Sequence, residues 1–313
     1  MTACDSEVLL ESESDEPVVQ PEARVDDCER VGDGVALARL SGSGDPGSLA
    51  TDGESLFFLS EGQLFSLPLT EGAAEPLTDE GASGSDVKYS DGFVYWLDGD
   101  TVYRVATSGG EPEALIELAV GAAWAVAGDA ILSTNGSTEP PSIVFRSSLT
   151  TGEISEIVTA EEGDVIRRLH VEGDRVLVAS DHKLLRLSVF GGDEQLLAEG
   201  TLSSWEGPAV FDEQVYFGAH DKADFYLARV PQDGSGTFER VVSGYVVSTA
   251  FDDEAVYVYA IPSALTGSEP TTAELLRVPL DGGPSQRLSA LPSEASVGFV
   301  IRSAGLVVDE DFA

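Results

Sequence analysis

From about residue 48 to 290 the chain reads as short runs of alternating or clustered apolar residues, each run broken by Gly, Asp or Ser. Alternation with a period of two is the mark of strands, and no useful length keeps the 3.6-residue period of an amphipathic helix. The recurring unit is a hairpin: an apolar strand, an Asp/Gly turn, then a second strand rich in Val, Tyr and Phe. Its second strands are expected to begin at Leu56, Val94, Ile131, Val176, Val215, Val256 and Leu306, spaced 38, 37, 45, 39, 41 and 50 residues apart. That is the period of a four-stranded blade. In the first six units a third strand follows, as in TVYRVATSGG and LLRVPLDGG, and then a fourth, as in EPEALIE and SEIVTAE. The pattern predicts an all-β fold, a seven-bladed β-propeller of four-stranded antiparallel blades, with six or eight blades as the alternatives.

The seventh hairpin, SVGFVIRSAGLVVDEDFA, uses up the C-terminus after two strands. A second hairpin near the N-terminus, ARVDDCERV and VALARLSG around Gly32-Asp33-Gly34, supplies two more. The expectation is a last blade closed by strands from both termini, which removes an exposed sheet edge. Residues 5 to 22 combine acids, Ser and Pro with no strand or helix period. They are expected to be disordered, so residues 1–22 form an acidic leader or lipoprotein-type tether and 23–313 the propeller.

Charge changes the picture of what the molecule can meet. Lys and Arg number 17 against 56 Asp and Glu, a net charge of -39, which repels nucleic acid and anionic lipid surfaces alike. Only Lys88, Lys183 and Lys222 are lysines, and the acids spread over the whole chain, as a solvated surface requires. No apolar run approaches the roughly 18 residues of a spanning helix, so membrane contact is expected only through a lipid anchor. Cys4 lies in Met-Thr-Ala-Cys-Asp, similar to the end of a bacterial lipoprotein signal, where the cysteine is acylated. A Cys4 to Cys28 disulfide in an oxidising compartment is the other reading of the two cysteines.

The segments FVYWLDGDTVYRVATSGGEPEAL, AVYVYAIPS and ELLRVPLDGGPSQRL resemble the YWTD-type repeats of extracellular propellers and the Val-Pro-x-Asp-Gly-Gly repeats of myxobacterial-type secreted proteins. The resemblance implies an extracytoplasmic ligand-binding or scaffolding role and no catalytic residues.

Strand order puts the second-to-third strand loops and the blade connections on one face, and the tight hairpin turns on the other. The longest insertions, 134–142, 220–225 and 261–274, fall on the first face, where a rigid scaffold usually carries its binding residues. Candidates there are Trp205 in a blade connection, His182, and His220 with Asp221 and Asp224. Arg167 and Arg168 open an innermost strand, able to meet an anion in the channel or to pair with Glu161, Glu162 or Asp164. A divalent ion shared by His182, His220 and an aspartate is possible only if adjacent loops converge. Arg104, Arg146, Arg186, Arg229 and Arg277 recur at one place in the third strand, with Ser66 the exception, and are read as structural ion pairs to acids on neighbouring blades. No cofactor motif and no nucleophile elbow is present.

The expected function is an exported, non-enzymatic binding or scaffolding propeller. It would act as a monomer on a protein or glycan of the cell envelope, in the periplasm, anchored to the outer membrane or secreted. A hydrolase or lyase working on glycan or peptide from the same face is the alternative. Export has a direct test: the native gene product should take up a palmitate analogue at Cys4, and unlabelled protein in the cytosol would refute the tether.

Overall fold

The computed structural model describes residues 49–60, 62–69, 73–79, 82, 84–136, 141–202, 207–222, 224–251, 254–261 and 272–292. All its regular structure is strand. Blade 1 holds β1 (Leu49–Thr51), β2 (Ser55–Ser60), β3 (Gln63–Pro68) and β4 (Glu75–Pro76). Blade 2 holds β5 (Ser85–Ser90), β6 (Phe93–Asp98), β7 (Thr101–Ala106) and β8 (Glu113–Glu117). Blade 3 holds β9 (Trp124–Ala127), β10 (Ala130–Thr134), β11 (Ile143–Ser148) and β12 (Ile154–Thr159). Blade 4 holds β13 (Ile166–Glu172), β14 (Arg175–Ser180), β15 (Lys183–Ser188) and β16 (Gln195–Glu199). Blade 5 holds β17 (Ala209–Phe211), β18 (Gln214–Asp221), β19 (Asp224–Pro231) and β20 (Glu239–Ser243). Blade 6 holds β21 (Tyr245–Phe251), β22 (Ala255–Ile261), β23 (Thr272–Pro279) and β24 (Gln286–Pro292).

Each sheet pairs its strands antiparallel in chain order, and first strands of successive blades lie side by side, β1 by β5, β5 by β9 and β9 by β13. The first strands therefore line the inside of the array. The described residues build six blades, not the expected seven. The count of seven rested on hairpins at 23–42 and 296–313, which lie outside the described residues, and six was the alternative.

Strand alternation explains the packing. On β18, Val215, Phe217 and Ala219 face blade 4, in a cluster with Leu177 and Leu184. Tyr216 faces blade 6, in a cluster with Val256 and Val258. Comparable clusters join blades 1 and 2, 2 and 3, and 3 and 4. The other face of blade 1 carries Leu56, Phe58, Phe65 and Leu67, all buried, in a cluster whose members come from that blade alone.

Turn chemistry sets the register. Asp91 and Gly92, at φ +50° and +80°, close β5 onto β6, the paired left-handed conformation of a two-residue hairpin turn. Gly84 serves a different need: its φ is +143°, and a Cβ there would stand 2.1 Å from the Leu97 carbonyl oxygen. Gly84→Ala should therefore destabilise the fold by about 1–3 kcal/mol. Gly53→Ala, with a left-handed backbone but no atom within 4 Å of the new Cβ, should cost only about 1 kcal/mol. Denaturant unfolding of the two variants checks the order, and equal midpoints would contradict the close approach.

Candidate functional site

The loop-bearing face of blades 4 and 5 gathers most of the described candidates. β13 enters from the connection after β12, and its pairing with β14 slips between Ile166 and Arg168. Arg167 is the extra residue of this bulge, a device that re-aims one side chain. Its guanidinium forks onto Asp181, Nε to Oδ1 at 2.8 Å and Nη2 to Oδ2 at 2.9 Å. That bond, with the nearby carboxylates, holds Arg167 above the ordinary arginine range. The expected partners Glu161, Glu162 and Asp164 are thus replaced by the β14–β15 turn, because the bulge points Arg167 along the sheet edge.

Glu161 is taken by Lys183, Nζ to Oε1 at 2.5 Å. Asp164 is buried, its Oδ2 accepting from the Ser180 hydroxyl at 2.6 Å. The same hydroxyl oxygen accepts from the Lys183 amide at 2.9 Å, so the connection and the turn are stitched together. Arg168 is exposed, its stem beside Gly207. It donates from Nη1 to the Arg167 carbonyl at 3.1 Å and forms no ion pair among the described residues. His182 is exposed at the tip of the turn.

In blade 5, His220 Nδ1 lies 3.2 Å from the Lys222 carbonyl oxygen, and its ring is 5.0 Å from Phe225. Asp221 is exposed, and Asp224 holds Arg240 at 2.7 Å. His220 and Asp224 are thus occupied locally. Among the described residues no three His, Cys, Asp or Glu side chains come together as a metal site, and the shared-ion arrangement for His182 and His220 does not form. Trp205, Cys4, Cys28 and the tips of the longer insertions, 137–140 and 262–271, lie outside the described residues.

The repeated arginines pair, but not as expected. Arg104 meets Glu113, Arg146 meets Asp129, Arg229 meets Glu239 and Arg277 meets Glu254, in every case an acid of the same blade. Adjacent strands stand about 4.8 Å apart, whereas packed sheets stand about 10 Å apart. A same-sheet acid is simply nearer. Arg186 instead crosses directly to a polar group of the next blade, donating to the Gln232 carbonyl at 3.3 Å.

The inner strands bring together groups that no sequence motif joins. Lys88 on β5 pairs with Asp86 at 2.7 Å, and its ammonium sits 4.7 Å from the ring centroid of Trp124 on β9. Burial, reinforced by the Lys88 charge, lowers the pKa of His170 on β13. Nothing in the spacing of Lys88, Trp124 and His170 signals this meeting, because first strands are neighbours in space only through the ring.

No protein-family model matches the chain, and no curated protein does. Solved structures share its fold. An oligogalacturonate lyase from Vibrio parahaemolyticus aligns at a TM-score of 0.54 and 13% identity, over 79% of this chain and 77% of its own. A chain from a study of two prolyl endopeptidases aligns at 0.56 and 12%, over 78% of this chain and 42% of its own. A chain of a nidogen and laminin complex aligns at 0.47 and 12%, over 63% and 78%. With the six sheets, the likenesses above 0.5 establish a β-propeller repeat fold, and at these identities the fold alone.

The lowered His170 sets a pH dependence. A histidine that resists protonation when folded contributes stability above its ordinary pKa of about 6.5, and this is lost as pH falls toward the folded value. Stability should fall as the medium is acidified below about 6.5. His170→Gln should flatten the part of that slope above the carboxylate range. Unfolding midpoints of both proteins across that interval decide it, and parallel slopes would count against the assignment.

Proposed function

We propose that this chain is an exported, non-enzymatic binding or scaffolding propeller that takes a protein or glycan of the cell envelope on its loop-bearing face, tethered through Cys4. The observation that carries the reading is the state of the charged groups there. Arg167 with Asp181, Lys183 with Glu161 and Arg240 with Asp224 are committed to each other, which suits a stiff recognition surface better than acid–base chemistry. Between them Arg168, His182 and Asp221 present exposed polar groups of both signs. In a chain of net charge -39 an exposed guanidinium that no carboxylate of the described residues holds is a specific feature. It offers an acidic sugar or side chain a planar, bidentate partner.

The test is capture from solubilised envelope of the source organism. Arg168→Glu and Trp205→Ala should each weaken retention of the partner at least several-fold with melting unchanged, whereas a charge reversal on the turn face, Asp174→Arg, should not. Retention that ignores all three substitutions would place the contact elsewhere. Steady turnover of envelope glycan or peptide by the purified chain would replace this reading with the hydrolase or lyase.

A further inference from the structure

The row that pairs second, third and fourth strands near the turn face repeats through the blades, but the cover over its arginine does not. In blade 2 the row is Tyr95, Arg104, Glu113, and the guanidinium lies 4.7 Å from the centroid of the Phe93 ring. In blade 3 the cover on Arg146 comes from the next blade, the Phe190 ring at 4.8 Å. Blade 5 repeats the blade 2 row as Tyr216, Arg229, Glu239, with Arg229 held by Glu239 at 3.1 Å and by the Tyr216 phenol. Neither ring is present there. Gln214 stands at the register place of Phe93, two residues along from the arginine pair. Asp281 of blade 6 stands where blade 4 carries Phe190, four residues after the third-strand arginine.

Beside Arg229 lies a cavity of about 460 Å³ lined by Asp212, Gln214, Arg229, Pro231, Thr237 and Glu239, within the size range of ligand sites, about 300–1,000 Å³. Arg229 remains 28% exposed. A second peculiarity marks the same place. The β17–β18 turn is Asp212 and Glu213, at φ +47° and +59°, where the corresponding turns of blades 1 to 4 each include a glycine with positive φ, Gly53, Gly92, Gly128 and Gly173. Two side chains are carried in a backbone conformation that disfavours them, and the result is a carboxylate on the cavity wall. Strain of this kind concentrates at binding sites.

We propose that this cavity receives an aromatic side chain from a basic segment of a partner protein. The ring stacks on Arg229 as Phe93 and Phe190 stack on Arg104 and Arg146, and Asp212 and Glu239 hold the flanking cations. A ring over a guanidinium is attractive and grows more so when desolvated. An aromatic anchor in a pocket with a charged rim is the usual form of an interface hot spot. The inference rests on reading the chain as a binding propeller but uses the face opposite Arg168, so the two can fail separately.

The experiment is calorimetric titration of the whole chain with the peptide amides Lys-Trp-Lys and Lys-Leu-Lys, which carry equal charge and so feel the acidic surface alike. The wild-type protein should prefer the tryptophan peptide roughly tenfold. Gln214→Phe, which places a ring over Arg229 as Phe93 does over Arg104 in blade 2, should bind both peptides equally. Arg229→Lys, which keeps the charge and loses the planar face, should do the same, and it decides the matter if Gln214→Phe does not fold. Arg168→Glu should leave the preference intact. No preference in the wild type, or a preference that survives both turn-face variants, overturns the proposal.

Discussion

Burial of apolar side chains on both faces of every sheet is the constraint from which the rest of this molecule follows. A four-stranded blade standing alone would expose both of its apolar faces, so each blade exists only against its neighbours. The residues that announce the repeat are those at the seams: Val94, Ile131, Val176 and Val215 are each 0% exposed. Burying one such side chain fully stabilises the fold by about 1.5–3 kcal/mol, and the seams repeat it many times over. Loops and turns are then held at the two rims by sheets that cannot move independently.

Most of the blade pattern was legible because it depends on local periodicity. In all six blades the second strand starts one residue before the place read from the sequence, at Ser55, Phe93, Ala130, Arg175, Gln214 and Ala255. The reason is that the residue leaving a tight turn already pairs, whatever its polarity. The blade total was less legible, since a hairpin at Leu306 has the same local pattern as one at Val256. Closure is a property of the ring and not of any one repeat.

The sites were legible by type and poorly by partner. Arg167 and His182 sit on the face that strand order assigns them, but the bulge at Ile166 and Arg168 sends Arg167 to Asp181, and no composition rule encodes a bulge. The recurrent arginines illustrate the same limit. Their repetition correctly marks a structural role, yet the choice of acid depends on distances of a few Å within a sheet. Lys88, Trp124 and His170 were invisible because they lie on three different blades.

A repeat fold also separates what the scaffold needs from what one blade adds. Where several blades keep a feature, packing suffices to explain it: in blades 2, 3, 5 and 6 an arginine tied to an acid of its own sheet satisfies a partly buried charge and lets the next blade approach. Where one blade departs, packing no longer explains the residue. Phe93 is the one aromatic among the six second-strand starts, so Gln214 is no departure, whereas Asp212 with Glu213 gives up the glycine found in the same turn of blades 1 to 4. That departure works against stability, and Asp212 lines the same cavity as the Arg229 guanidinium. Selection for folding alone would have relaxed that turn, so the departure is most simply understood as serving something outside the chain.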